Sequence, residues 1–352
     1  MGMMEELREP AVAGSFYPGY AGELKEMIDR YLSIAKDTKL DGNLKALIIP
    51  HAGYIYSGPI AAYGYKLLEK SKDRNIKKVL ILGPSHHAFF EGACESGFKF
   101  WETPLGNVKT YSIRENMESE DKKFLEIYPA AHVPEHCLEV QLPFLQLVMK
   151  NKFEVCPILT GQVEPEKLAE MIEKYIDERT LIIVSSDLSH YLPYENAKKI
   201  DSIANDSVPS IDIGRFEAQG DACGKTAILV LMHIAKNKKW NGKLLDYRNS
   251  GDTAGPKSGV VGYGCYAFYD LLIRPPSLKS DGIEVEEQNF CNSALPIETQ
   301  CVSMDVMVDD STMNMFVIEM SITTPLKQAC FNRSSTSYTI VAKATMCPFT
   351  KR

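Results

Sequence analysis

Four histidines of this chain share one sequence setting: His51, His86, His87 and His190 each close a short apolar run (ALIIPH, VLILGPSHH, LIIVSSDLSH). Such β-favouring runs, ended by a Pro, Gly-Pro or polar breaker, read as buried strands. Open α/β sheets gather their ligands beyond the carboxyl ends of strands. Imidazoles placed there suit two chemistries, metal ligation and proton transfer. His86 and His87 are adjacent, so on a regular element their side chains diverge and one of them reaches a shared site.

Other residues could join them. Cys223 precedes Gly-Lys-Thr and opens an apolar stretch, CGKTAILVLMHIAKN. A thiol at a helix N-terminus has its thiolate stabilised, which favours metal ligation or nucleophilic attack. Asp187 and His190 stand three apart in SSDLSH, a spacing that on a helical turn lets the carboxylate fix the histidine's tautomer, or leaves Asp187 to cap the following helix. His136 and Glu139 in EHCLEVQLP repeat that spacing, and Glu139 reads equally as a cap and as an acid or base. Tyr54 and Tyr56 in AGYIYSG offer hydroxyl donors, and with HAFF (His87 to Phe90) they would wall a pocket. Each has a plainer reading alone: His51 as a hydrogen-bonded histidine at a domain edge, Cys223 as a buried helix-start thiol. Together they point to one pocket.

The rest of the composition narrows the classes. The net charge of -7 gives no footprint for nucleic acid or an anionic membrane. No apolar run reaches the roughly 18 residues of a membrane span, and MGMMEELREP lacks the core of a secretory signal, so a cytoplasmic protein is expected. Nine cysteines without a CxxC pair fit free thiols in a reducing compartment. GPSHH and CGKT lack the glycine spacing of phosphate loops, which argues against a nucleotide enzyme.

The positioning elements follow from periodicity. An ordered arm over Arg8 to Pro18 leads to a helix over Ala21 to Thr38, a strand, the HAGYIYSG loop, a helix from Pro59, and the strand Val79 to Leu82. Gly97 to Lys109 reads as strands beside the main sheet. Glu115 to Tyr128 and Glu139 to Met149 read as helices, Phe153 to Leu159 as a strand, and Glu164 to Ile176 as an amphipathic helix. After the strand into SSDLSHY come a helix over Glu195 to Asn205, a loop over Asp212 to Asp221, a buried helix over Cys223 to Asn237, and strands at Leu244 to Tyr247 and Val260 to Tyr269. This alternation predicts an α/β fold, a mixed central sheet covered by helices on both faces. The domain should span 1–272, with linker composition over 273–288 and a tail or small β appendage, of no assigned function, over 289–352.

Six ordered motifs, AVAGSFYP, IIPHAGYIYSG, VLILGPSHH, EHCLEVQLPFL, IIVSSDLSHY and ACGKTAI, resemble the Memo family over about residues 8 to 270. The family's fold is similar to class III extradiol dioxygenases of the LigB type, which hold non-haem Fe(II) with two histidines and a glutamate and use a further histidine as acid/base. The resemblance therefore implies His51 and His86 as ligands and His190 as the acid/base; Asp187, three residues before it, would orient it and help deliver protons. Cys223 stands where the glutamate ligand is expected. A thiolate is softer than a carboxylate, so iron (Fe2+) is the first expectation and copper or zinc the alternatives. His136, Glu139, Tyr54 and His87 would line the pocket, which would take a small molecule or a peptide. The resemblance further implies redox signalling and peptide binding, and radical-SAM partner proteins in prokaryotic relatives. Two other readings stay open: a non-catalytic partner-binding module on a degenerate scaffold, and a hydrolase using the Cys223 thiol.

Overall fold

The computed structural model describes residues 5–71, 76–149, 152–271, 301–307, 315–321 and 341–346. The expected linker over 273–288 lies outside the described residues. Two units are distinct, Met1–Pro276 and Ser277–Arg352.

The first unit opens with β1 (Glu5–Arg8), which pairs parallel with β5 (Phe98–Trp101); β5 also pairs with β6 (Val108–Lys109) in a small separate sheet. The main sheet takes β2 (Gly42–Ile49), β3 (Lys78–Pro84), β4 (Ala93–Glu95), β7 (Leu125–Ile127), β8 (Glu154–Thr160), β9 (Thr180–Ser185), β10 (His190–Leu192), β11 (Asn241–Asn249) and β12 (Val260–Leu271). Its order is β10-β12-β2-β9-β3-β8-β4-β7, with β11 also on β12. The centre, β2-β9-β3-β8, is parallel; β12 and β4 flank it antiparallel. The fold is thus α/β with a mixed central sheet.

Helices cover both faces, and the pleat explains why the central strands are apolar throughout. Leu47, Ile49, Val79, Ile81, Leu181 and Ile183 enter one core with α1 (Ala21–Ile34), α2 (Tyr54–Lys70) and α4 (Leu142–Val148). The alternate residues Ala46, Ile48, Leu80, Leu82, Ile182 and Val184 enter the other. There they meet α5 (Pro165–Glu173), α6 (Tyr194–Ser207), α7 (Ile213–Gln219) and α8 (Lys225–Asn237). Short helices α3 (Pro129–His132) and α9 (Ser250–Thr253) complete this unit.

Four local expectations change. The helix expected from Pro59 begins at Tyr54, because Tyr54 N–H donates to Phe16 O of the N-terminal arm and so starts the helix with Pro59 inside it. The charged segment 115–128 is not one helix: it forms two 3₁₀ turns and β7. Buried Glu95 accepts the main-chain N–H of Ile113 and Arg114, and pairing of Leu125–Ile127 with β4 overrides helix propensity. The loop expected over 212–221 contains α7, capped by Asp212, whose side chain accepts from Arg215 N. SSDLSH is irregular backbone leading into a strand, so Asp187 and His190 do not share a helical turn.

In the second unit, β13 (Cys301–Met307), β14 (Met315–Ser321) and β15 (Val341–Met346) form an antiparallel sheet in that order.

Candidate metal centre

Three neighbouring parallel strands supply the frame. β2, β9 and β3 lie side by side, and beyond their carboxyl ends come His51, Asp187 and His86. The strand ends are tied together: Ser186 N donates to Ile49 O at 3.0 Å, and His51 N donates to Asp187 Oδ1 at 2.7 Å. A third imidazole arrives from the irregular segment after α3. Gly83 makes room for it: a Cβ there would stand 2.7 Å from Leu138 Cδ2 and 2.8 Å from Cys137 Sγ.

The result is a cluster of three rings. His51 and His86 have centroids 5.2 Å apart, His51 and His136 5.5 Å, and His86 stacks on His136 at 4.9 Å. One ligand atom from each of the three falls within 4.8 Å of the others. His51 is buried, His136 half-buried and His86 the most open of the three.

Glu135, fully buried, organises two of the rings. Its Oε2 accepts from His86 N at 2.6 Å; its Oε1 lies 2.9 Å from His86 Nδ1 and accepts from His136 N and Cys137 N. Burial alone would raise this carboxyl's pKa, but those donors outweigh it and hold the group well below the usual range. The same contact works on His86: burial lowers its pKa, and the Glu135 carboxylate more than reverses that. Burial, reinforced by His86, pushes His51 down to about 3, and burial with His51 nearby pushes His136 down to about 4. These two imidazoles are therefore neutral at physiological pH and keep a lone pair for a cation.

Cys223 sits just before α8 with its sulfur 3.2 Å from His51 Nε2. Asp187 N donates to the same sulfur at 3.2 Å. Burial, then the Asp187 carboxylate, pushes the thiol up to about 12. Asp187 is itself pushed up to about 6 by burial, against the N–H groups of His51 and Ala52. Its carboxylate thus holds the turn at His51. His190 lies on β10, near enough for its charge to bear on both His51 and Asp187.

The remaining residues named from the sequence occupy different places. Glu139 is wholly buried and faces the N-terminal arm: it accepts from Arg8 Nη1 (2.7 Å), Ala11 N (2.7 Å), Val12 N (3.1 Å) and Tyr17 OH (2.6 Å). Tyr54 is interior, its hydroxyl donating to Val140 O at 2.6 Å. His87 is exposed on the outer side, 6.5 Å from the His136 ring. Glu135 and Ser185 are the residues that sequence reasoning missed. The adjacent Glu-His pair in PEHC is the signal that could have found Glu135. The arm also closes one wall, with Phe16 4.7 Å from the His136 ring.

The chain is similar to known proteins at the level of family. The Memo-like protein family profile matches residues 8–267. A MEMO1 family protein of Nitrosopumilus maritimus is 35% identical over 276 residues, 74% of this chain and 99% of that protein. One from Saccharolobus solfataricus is 36% identical over 282 residues, covering 73% and 97%. One from Aquifex aeolicus is 35% identical over 274 residues, covering 73% and 97%. Among the described residues no helix is long and apolar enough to cross a membrane.

Proposed function

The chain belongs to the Memo-like protein family, and from that premise we propose that it binds a transition-metal ion at the histidine cluster and uses it in redox chemistry. The observation that carries this reading is the convergence of His51, His86 and His136, with ligand atoms within 4.8 Å of one another. Metal–nitrogen bonds of about 2.0–2.1 Å need only a modest inward movement of such a set.

The donor chemistry fits. His51 and His86 have Nδ1 engaged by Ser185 and Glu135, which leaves Nε2 of each for the ion. Cys223 Sγ lies beside His51 Nε2 but outside the set of atoms within 4.8 Å of one another, and would move in to supply the third ligand of our assignment; His136 adds a further nitrogen. Neutral imidazoles with one sulfur suit borderline ions such as Fe(II), copper or zinc, and we assign iron. When bound, such an ion supplies electron transfer to O₂ or to a small-molecule substrate. Glu135 balances its charge and keeps His86 oriented, Phe16 shields one side, and His190 takes or gives the proton that the reaction moves.

The test is metal content after anaerobic purification, for the wild type and for His51→Ala, His86→Ala and Cys223→Ser. Near-stoichiometric iron that vanishes in all three supports the assignment. A wild type that holds no metal and takes up no added Fe(II), copper or zinc sinks it.

A second reading, a module that captures a peptide, draws on two exposed aromatics on the segments that also carry His86 and His190. Phe89 is 87% exposed and Tyr191 80% exposed, and Tyr191 holds an unfavourable φ of 58°. Peptide binding that is equal with and without metal would favour it.

A further inference from the structure

The hydrogen-bond inventory beneath His51 leaves only one arrangement of protons. Ser185 Oγ, wholly buried, has three neighbours: Cys137 O at 2.6 Å, Gln141 Nε2 at 2.8 Å and His51 Nδ1 at 3.0 Å. A hydroxyl carries one proton and accepts at two lone pairs. Cys137 O is a carbonyl and can only accept. Gln141 Nε2 can only donate, and the amide's orientation is fixed from both ends. Its Nε2 also donates to Pro50 O at 3.1 Å, while its Oε1 accepts from Tyr65 OH at 2.6 Å. The Ser185 proton therefore goes to Cys137 O, and both lone pairs are left for incoming donors. One is Gln141; the other must be an N–H on His51 Nδ1.

We infer that Ser185, oriented by the Tyr65–Gln141 pair, is a positioning residue that fixes His51 as the Nδ1–H tautomer, with the Nε2 lone pair directed toward Cys223. This is the reverse of the tautomer that predominates in free histidine, so the surroundings must impose it. Every residue of this network is buried, and each is paired: Tyr65 to Gln141, Gln141 to Ser185, Ser185 to both Cys137 and His51. A buried network satisfied throughout is rigid and specifies one state. The consequence is a nitrogen pre-set for a cation, with no tautomer change required on binding. That consequence rests on the metal-binding reading above; the tautomer itself does not.

The experiment uses the full chain labelled with ¹⁵N-histidine, metal-free at neutral pH, and reads the His51 ring nitrogens by long-range ¹H–¹⁵N correlation. Zn(II) affinity is measured on the same samples. The wild type should show protonated Nδ1 and bare Nε2. Ser185→Ala should lose that pattern and bind Zn(II) ten- to a hundredfold more weakly, the usual cost of removing a partner behind a ligand. Ser185→Thr, which keeps the hydroxyl, should restore both. A proton on Nε2 in the wild type, or an unchanged tautomer in Ser185→Ala, overturns the inference. If Ser185→Ala does not fold, the wild-type tautomer decides alone. If the wild type takes no Zn(II) yet shows Nδ1–H, the metal reading fails and this one stands.

Discussion

Oε1 of Glu135 lies 2.9 Å from Nδ1 of His86 and also accepts the main-chain N–H of His136. One buried acid thus sets the orientation of two rings that reach the cluster from opposite sides of the sequence gap between β3 and α4. Glu135→Gln keeps the shape and removes the charge. Titration of the His86 ring followed by NMR should then show its pKa falling from above its ordinary value to below it, because burial is left opposed only by the weaker pull of Asp187. Metal affinity should drop about ten- to a hundredfold. An unchanged His86 titration would refute the role given to Glu135.

Proton release on metal binding separates the two donor sets. His51 and His136, at about 3 and about 4, have no proton to lose at pH 7. His86, held above its ordinary value by the Glu135 carboxylate, gives up any proton on the ring nitrogen that ligates. The Cys223 thiol, pushed up to about 12, releases one more if sulfur ligates. Titration calorimetry in buffers of different ionisation enthalpy should therefore give one proton fewer for Cys223→Ser than for the wild type. Equal release by both would remove Cys223 from the ligand set. If the thiol ligates, affinity should fall with pH throughout this range, more steeply below the His86 pKa, with no further histidine proton competing until about pH 4.

The parts of the site that were legible are those carried by regular elements. His51 and His86 follow uninterrupted apolar runs closed by breakers, so their place at strand ends could be read directly, as could the two-faced burial of Ala46 to Ile49. Residues 133–138 carry no period, and their position depends on Arg8, more than 120 residues away, whose guanidinium donates to His132 O and Glu135 O. Nothing local could therefore tell Glu135, which faces the histidines, from Glu139, which faces the arm. The helix expected over 115–128 shows the same limit, since its fate is decided by the buried Glu95 carboxylate and by pairing with β4.

The Arg8–Glu139 pair, 1% and 0% exposed, is the arm's anchor. Breaking a buried pair leaves an uncompensated charge and costs about 3–5 kcal/mol. Arg8→Met should lower stability by that order in urea unfolding, and Glu139→Gln should also destabilise, because its amide keeps one acceptor oxygen where Oε2 accepts from Arg8 and Ala11 N and Oε1 accepts from Val12 N and Tyr17 OH. The guanidinium also holds the carbonyls of His132 and Glu135, so Arg8→Met should weaken metal binding as well. Loss of stability with full metal affinity would show that the arm does not shape the site.

His132 gives the sharpest prediction for acid stability, because it lies outside the cluster. It is fully buried against Trp101, its Nε2 is 3.1 Å from Cys94 O, and its Nδ1 has no partner. Burial pushes its pKa from 6.5 down to about 3. Below 6.5 the unfolded chain therefore takes up a proton that the folded protein refuses, and stability falls as the pH drops toward 3. The loss approaches about 1.4 kcal/mol per pH unit for one such group. His51 and His136 add to the same slope in metal-free protein. Unfolding of wild type and His132→Leu, compared at pH 7 and pH 5, should show a smaller loss on acidification in the variant, by close to one bound proton. Identical slopes would mean that the His132 ring is reached by protons without unfolding, and that its burial does not set the acid limb.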